Sequence, residues 1–444
     1  MSVVGIIAEY NPFHNGHLLQ LREIRRRLLP SGVIVLMSGS LTQRGSVAIL
    51  DKWQRAEAAV RGGASLVLEL PCAFATRSAQ HFAFGGVCLL ERLGFVDTLA
   101  FGAEQDNLDL LRKLAQAGDT TETAGRLRAE LARGASYAAA LASATECRLS
   151  PKKEPGAISD EYIPPADAND DTALSECLRQ PNVILAVEYL RAIEKTRAAL
   201  TPFVLPRFGA DHHDTELPSE PFAAVASASA IRLSLAAQGK RQELPRNIER
   251  TVPTFVCPML AEALARGIPD DERLFRPLLS LLYTSSDDEL RYISGIREGL
   301  EHRFRNAALS AASLSSFVES VSSRRYPRTG IRRTILHLLL GLRKDDVLRM
   351  DTSGPLYARV LAFDNNGRRL LRLIQKTSHV PVVTKAADFL PARSLVAPDR
   401  LSPAQAMLAL DLRATALASL ASSGLDAPRP NNDYLRSPVY LSET

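Results

Sequence analysis

The chain has 444 residues, 46% hydrophobic and 23% charged, with a net charge of +5 and a pI near 9.0. This is ordinary globular composition, long enough for two or three domains, and no apolar run reaches the span of a bilayer. No signal peptide is expected, and the five cysteines (Cys72, Cys88, Cys147, Cys177, Cys257) lack short paired spacing, which suits reduced core residues in the cytoplasm rather than disulfides or zinc ligands.

In chain order, Val3–Ile7 reads as a strand, and a loop leads into helical spacing from about His17 to Leu29. Val33–Met37 is a second strand. Asp51–Arg61 is helical, with Trp53, Ala56 and Val60 on one face. Ser65–Leu70, Ala79–Leu93, Thr98–Phe101 and Asn107–Ala115 read as strand, helix, strand and helix. Residues 151–176 are rich in Pro, Asp, Glu and Ala without a period and read as an excursion or mobile loop. A helix starts at Pro181-Asn182, and Phe203–Leu205 is a fifth strand. Buried strands alternating with amphipathic helices imply an α/β, Rossmann-like doubly wound parallel sheet. Ligands of such sheets sit at the carboxyl ends of the strands.

After about residue 240 the pattern becomes helical: Met259–Ala265, Glu272–Leu282, Asp288–Gly299, Leu314–Ser322 and Ile331–Leu340, with Pro277 expected to kink or restart the second. Arg359–Phe363, Arg368–Gln375 and Val380–Thr384 read as a small β-α-β unit, followed by a helix at Pro403–Ala421 and a Pro/Asn-rich tail. The expected division is residues 1–240 as the nucleotide-binding catalytic domain, 241–350 as a basic helical domain, and 351–444 as the small α/β unit with the last helix. Arginines cluster at Arg22, Arg25, Arg26 and Arg27, and again at Arg324, Arg325, Arg328, Arg332 and Arg333 around Tyr326. A basic patch holding an aromatic suits RNA backbone and base contact.

The most specific stretch is Ile7-Ala8-Glu9-Tyr10-Asn11-Pro12-Phe13-His14-Asn15-Gly16-His17-Leu18-Leu19-Gln20, at the strand–loop–helix junction. A helix N-terminus presents unpaired N–H groups and partial positive charge, which attract a phosphate. Gly16 permits close backbone approach, His14 and His17 can donate to phosphate oxygens, and Pro12 stiffens the loop. The alternatives are a metal pair or structural histidines. The three-residue spacing fits a metal, but the intervening Gly16 and preceding Pro12 argue for a loop.

Four further loops mostly follow expected strands. Ser38-Gly39-Ser40-Leu41-Thr42-Gln43-Arg44-Gly45 is polar with one arginine; it suits an anion or is an ordinary connection. Lys52 beyond it faces phosphate or solvent. Phe101-Gly102-Ala103-Glu104 either admits an adenine or ribose at Gly102 or is a plain turn. Asn182, with Pro181, has the character of a helix start and reads as a cap. Pro206-Arg207-Phe208-Gly209-Ala210-Asp211-His212-His213-Asp214 offers Arg207 to a phosphate or carboxylate. Its adjacent His212, His213 and Asp214 point different ways and do not share a metal. Finally, Ala226-Ser227-Ala228-Ser229-Ala230-Ile231-Arg232 joins a serine cap to an arginine, a second phosphate cradle.

The string Gly5-Ile6-Ile7-Ala8-Glu9-Tyr10-Asn11-Pro12-Phe13-His14-Asn15-Gly16-His17, together with Ser227–Arg232, resembles the HIGH-type nucleotidylyltransferase superfamily and, within it, the tRNA(Met) cytidine acetate ligase family. The resemblance implies a nucleotidylyltransferase-type sheet and ATP, with Mg2+ expected beside it. It implies activation of acetate as acetyl-adenylate, and acetyl transfer to N4 of the wobble cytidine of elongator tRNA(Met). His14, His17 and Arg232 would be catalytic. Residues 7–20, Gly102, Asn182, Arg207, Ser227 and Ser229 would contact ATP. No metal ligand is named, no membrane is implied, and the oligomeric state is left open. Ser40, Leu41 and Ala103 stand where the family has Asn, Phe and Ser. The alternatives are a nucleotidylyltransferase acting on a small phosphorylated metabolite, or a nucleotide-sensing RNA-binding protein; the basic helical part favours RNA.

Overall fold

The computed structural model describes residues 2–118, 121–133, 140, 143–144, 180–207, 225–239, 243–297, 299–392, 400–422 and 431–442. Residues 151–176, His212, His213, Asp214, Cys147 and Cys177 lie outside them.

β1 (Val3–Ala8) is the apolar run of the N-terminus, and it is flanked on both sides in the sheet. It pairs in parallel with β2 (Gly32–Ser38), Val3 opposite Gly32 and Ala8 opposite Met37. β3 (Leu66–Leu70) continues outward from β2, while β4 (Thr98–Ala103) and β5 (Thr201–Pro206) extend from the other side of β1, all parallel. The strand order is β5-β4-β1-β2-β3, so the chain reverses direction between β1 and β4. That switch point opens a crevice at the carboxyl ends of the strands. α1 (Asn15–Leu28) and α2 (Lys52–Arg61) cover one face, and the helices Ala79–Arg92 and Pro181–Thr196 cover the other.

The expected C-terminal β-α-β unit forms, and it is continuous with this sheet. β6 (Ala358–Asp364) pairs antiparallel to β3, with a bulge at Val67–Leu68, and β7 (Val382–Val383) and β8 (Val439–Leu441) pair parallel to β6. The sheet is therefore mixed, with eight strands among the described residues. Between these parts lies a helical layer with its own apolar core around Leu278, Phe304, Phe317 and Ile335.

Most expected elements appear, including Pro403–Ala421 with the expected boundaries. Three differ. The helix expected over Asp288–Gly299 stops at Tyr292, because Ile293 bridges Arg343 and Gly295 and Gly299 take positive φ. The helix expected from Glu272 is a 3-10 turn, Asp271–Leu274, restarting as an α-helix at Phe275. Pro277 then sits in the first turn, where its missing N–H is harmless. The helices Leu300–Ser310 and Lys344–Ser353 were not foreshadowed by apolar spacing.

Lys52 faces neither phosphate nor solvent. Its Nζ lies 2.9 Å from Glu69 and 2.6 Å from Asp433. Arg359 reaches the same two carboxylates at 3.1 and 2.5 Å. All four side chains are buried, and the quartet has no net charge. It ties α2, β3, β6 and the Asn432–Leu435 turn into one unit. Lys52→Met leaves two carboxylates on one guanidinium. Stability should fall by about 3–5 kcal/mol. Denaturant midpoints should show the loss, while ATP affinity of the folded fraction stays at the wild-type value.

Candidate active site

The His-x-Gly-His segment leaves β1 at the switch point and enters α1. His14 is the N-cap residue, in extended conformation, and its Nδ1 accepts from the Gly16 N–H at 3.1 Å. His17, at the third helical position, accepts at Nδ1 from the His14 N–H at 3.2 Å. This is a capping box built from two imidazoles. Its rings stack with centroids 3.7 Å apart. An imidazole accepting at Nδ1 carries its proton at Nε2. Both histidines are thus neutral donors with defined tautomers. Burial holds the His14 pKa down to about 3, helped by the positive charges of Arg207 and Arg232. Burial, then His14 and Arg207, hold His17 well below the ordinary imidazole range. A side chain at Gly16 would press on the His14 ring, since a Cβ there falls 2.9 Å from Cε1.

The rest of the stretch builds the support. Ile7 and Ala8 end β1. Glu9 accepts from the Gln43 N–H at 2.6 Å. The Tyr10 ring meets Phe13 at 5.0 Å and His17 at 4.7 Å, both edge-on. Asn11 accepts from the Ile49 N–H at 2.9 Å, and Pro12 leads to Phe13, which is fully buried. Asn15 donates to the carbonyls of Thr251 and Arg250. Leu18 packs on the core beneath, Leu19 is half-buried, and the Gln20 amide approaches Gly102.

Beneath these loops lies Arg55, fully buried, which donates to the carbonyls of Glu9 at 2.6 Å, Ser38 at 3.1 Å, Leu50 at 3.2 Å and Gly39. Burial lowers its pKa to about 10, so it stays charged at neutral pH. Nothing in the spacing of α2 marks it out from a surface arginine.

A second wall stands at the ends of β4 and β5. Glu104 accepts from the Asn182 side chain at 2.5 Å and from the Val183 N–H at 3.1 Å, and lies 3.6 Å from Arg207. The cap of the Pro181–Thr196 helix is Gln180, so Asn182 is not the cap; Glu104 aims it instead. In the sequence Glu104 only closes the stretch Phe101–Glu104, and nothing there marks it as an anchor.

The third wall is the Ser227–Arg232 segment. Ser227 caps the Ala228–Ala236 helix, accepting from the Ala230 N–H at 3.0 Å. Arg232 donates to the Asn11 carbonyl at 2.7 Å and to Ser229 at 3.0 Å, joining this wall to the first. Arg44 also donates to Ser229, at 3.1 Å. The residues expected to bind nucleotide thus gather around one crevice rather than scattering. Its donors are neutral histidines at the centre and guanidinium groups at the rim.

The arginine clusters part ways. Arg26 and Arg27 pair with Glu23 within the helix, and Arg25 staples α1 to the Gly63 carbonyl beyond α2. In the late cluster, Arg332 pairs with Asp271 at 3.4 Å and Arg333 donates to the Gln43 carbonyl at 3.3 Å. Arg324 and Arg325 are exposed, Arg325 lying over the Tyr326 ring. Among the described residues no three His, Cys, Asp or Glu side chains gather as a metal-ligand set. No described helix is long and apolar enough to cross a membrane.

A family profile described as HIGH Nucleotidyl Transferase matches residues 1–432. The tRNA(Met) cytidine acetate ligase of Syntrophotalea carbinolica is 35% identical, covering 99% of both chains. The enzyme of the same name from Syntrophomonas wolfei is also 35% identical with the same coverage. The crystal structure of Thermotoga maritima TmcAL superposes with a TM-score of 0.86 at 30% identity over the whole of both chains; its complex with alpha-thio ATP gives 0.84.

The capping box fixes a pH response. Because the His14 pKa is depressed, the unfolded chain takes up this proton first as pH falls. The stabilisation is full above about pH 6.5 and drains as pH drops towards 3. Urea unfolding at pH 7 and pH 5 should show this loss, with a smaller difference in His14→Gln. Nitrogen-15 NMR of labelled histidines should find both rings neutral, protonated at Nε2, and not titrating between pH 7.5 and 5.5.

Proposed function

The chain belongs to the tRNA(Met) cytidine acetate ligase family, ATP-using ligases that acetylate cytidine in tRNA(Met), and we propose that it works through acetyl-adenylate. The observation that carries this reading is the pair of neutral Nε2–H donors at the helix N-terminus, beside three arginines. That set suits an α-phosphate under attack.

In the first step an acetate oxygen bonds to the α-phosphorus. The bond from that phosphorus to the bridging oxygen breaks, and pyrophosphate leaves with the electron pair; no proton moves. His14 and His17 donate to the α-phosphate oxygens as charge builds there, while Arg207 and Arg232 balance the phosphate charge. Neutral donors are well matched to this step, because they stabilise developing charge without binding the ground-state anion as tightly as cations would. Gly102 and Asn182 line the nucleoside side of the crevice. In the second step the N4 amine of the wobble cytidine of elongator tRNA(Met) attacks the acetyl carbon. The bond from carbonyl carbon to adenylate oxygen breaks, AMP departs, and the amine loses one proton to solvent. The mixed anhydride is activated enough to need little base assistance. The tRNA rests on the exposed Arg324, Arg325 and Arg328 face, in the cytoplasm.

Incubation with ATP, labelled acetate and bulk tRNA, followed by nucleoside mass spectrometry, should yield labelled N4-acetylcytidine. Its absence, with a small phosphorylated metabolite adenylylated instead, would sink the reading. His17→Ala should cut acetate-dependent ATP–pyrophosphate exchange by about 10²–10³ and leave tRNA binding intact. Arg324→Ala with Arg325→Ala should do the reverse, lowering the salt slope of tRNA binding by about 1 for each arginine. An unchanged slope would remove this face from the interface.

A further inference from the structure

Glu104 belongs to neither the His-x-Gly-His nor the Ser227–Arg232 signature, yet it organises the start of the Pro181–Thr196 helix. It follows β4 directly, two residues beyond Gly102. That helix opens without help from its own cap: the Gln180 side chain accepts no bond there, and Pro181 has no N–H to offer. Glu104 Oε2 takes an orphan donor of the first turn instead, the Val183 N–H, at 3.1 Å. Glu104 Oε1 takes the Asn182 side-chain N–H at 2.5 Å. Both oxygens of one carboxylate are thus used, one on the backbone and one on the side chain of consecutive residues. Glu104 cannot turn to release Asn182 without uncapping the helix.

That arrangement fixes which end of the Asn182 amide is left for a ligand. A side-chain amide offers donors on its nitrogen and acceptors on its oxygen, and a free Asn can rotate to present either. Here rotation would set the amide oxygen 2.5 Å from a carboxylate oxygen, two acceptors with no hydrogen between them. The nitrogen is therefore held on Glu104. The amide oxygen has no partner among the described residues, and Asn182 is only half-buried. Gly102, on the same strand end, leaves room for a flat ligand: a Cβ there meets nothing closer than the Arg207 Cγ, at 3.5 Å. A ribose hydroxyl can donate or accept, so it has no need of a fixed amide. A fixed acceptor discriminates against a group by what that group can donate. The adenine 6-amino group donates, whereas the 6-oxo group of guanine or hypoxanthine only accepts.

We propose that Glu104 is a positioning residue for base recognition: it locks Asn182 so that the amide oxygen accepts from the adenine 6-amino group, and 6-oxopurine nucleotides are rejected. The proposal rests on the reading of this crevice as the ATP site of an acetate ligase. Neither residue makes or breaks a covalent bond. A wrong base sets two acceptors face to face, and Glu104 prevents the amide from turning to relieve them. Arg207, 3.6 Å from the same Oε1, joins the base-reading end of the crevice to its phosphate-binding end.

The test is a nucleotide ladder, measured by calorimetry without acetate or tRNA. Its rungs are ATP, purine riboside triphosphate, which lacks the 6-amino group, and inosine triphosphate, which carries a 6-oxo group. The wild-type protein should bind ATP about threefold to tenfold more tightly than purine riboside triphosphate, the worth of one hydrogen bond. It should bind ATP about tenfold to a hundredfold more tightly than inosine triphosphate, the worth of an unpaired acceptor. In Glu104→Gln the new amide oxygen can keep the Val183 N–H, which turns its nitrogen toward Asn182 and rotates that amide, nitrogen outward. The order of ATP and inosine triphosphate should then level or reverse, whereas a role in stability alone would lower all three affinities together. Asn182→Ala should bring the three within about threefold of one another, and it covers the case in which Glu104→Gln folds poorly. Equal wild-type binding of ATP and purine riboside triphosphate, or a wild-type order kept in Glu104→Gln or in Asn182→Ala, would overturn the proposal. An ordered ladder in a protein that forms no N4-acetylcytidine keeps Glu104 and removes the acetate ligase reading. A flat ladder in a protein that forms it does the opposite.

Discussion

The site depends on one buried cation. Arg55 sits where β1 and β2 part, and parting parallel strands leave carbonyls without ladder partners. Its guanidinium donates to Glu9, Ser38, Gly39 and Leu50, so one side chain fixes the start of the His14 loop, the start of the Arg44 loop and the approach to α2. A buried charge is tolerated when its donors find partners, and four carbonyl acceptors take up four of the five guanidinium N–H groups here. An apolar residue in its place could fill the volume but would leave those carbonyls unpaired.

Above that staple, charge is graded from the centre of the crevice to its rim. At the centre are imidazoles kept neutral by burial and by their own mutual capping. Around them stand Arg207, Arg232 and Arg44. Burial is the main cause of the histidines' lowered pKa values, and the positive charge of Arg207, joined by Arg232 at His14, pushes in the same direction. Glu104 keeps the wall opposite in register by bonding Asn182 and standing beside Arg207. Geometry and protonation are therefore two results of one arrangement.

Local pattern revealed what is local. Apolar runs gave β1 to β5, helical spacing gave α1 and α2, and a proline behind a serine cap gave Pro403–Ala421 to the residue. The loops expected to hold phosphate could be singled out because each carries its candidate chemistry in a few consecutive positions. What was illegible is pairing between distant segments. No period within Arg359–Phe363 says that this strand runs antiparallel beside β3. Lys52 has the spacing of a first-turn helix residue, and its true partners lie on β3 and near residue 433. Arg333 looked like one more arginine of a basic patch, yet its guanidinium turns inward to Gln43. In each case the side chain's role is set by what tertiary packing brings opposite it.

The quartet of Lys52, Glu69, Arg359 and Asp433 has a consequence for how the protein is made. Synthesis is vectorial, and segments emerge in chain order. Lys52 and Glu69 leave the ribosome as a pair long before Arg359 and Asp433 exist. Until those arrive, the edge of β3 is unpaired and its charges stay wet. The nascent sheet thus waits in a solvated, unfinished form, and segments translated much later close it. Order of synthesis and order of burial run in the same direction, so translation itself times the completion of the fold.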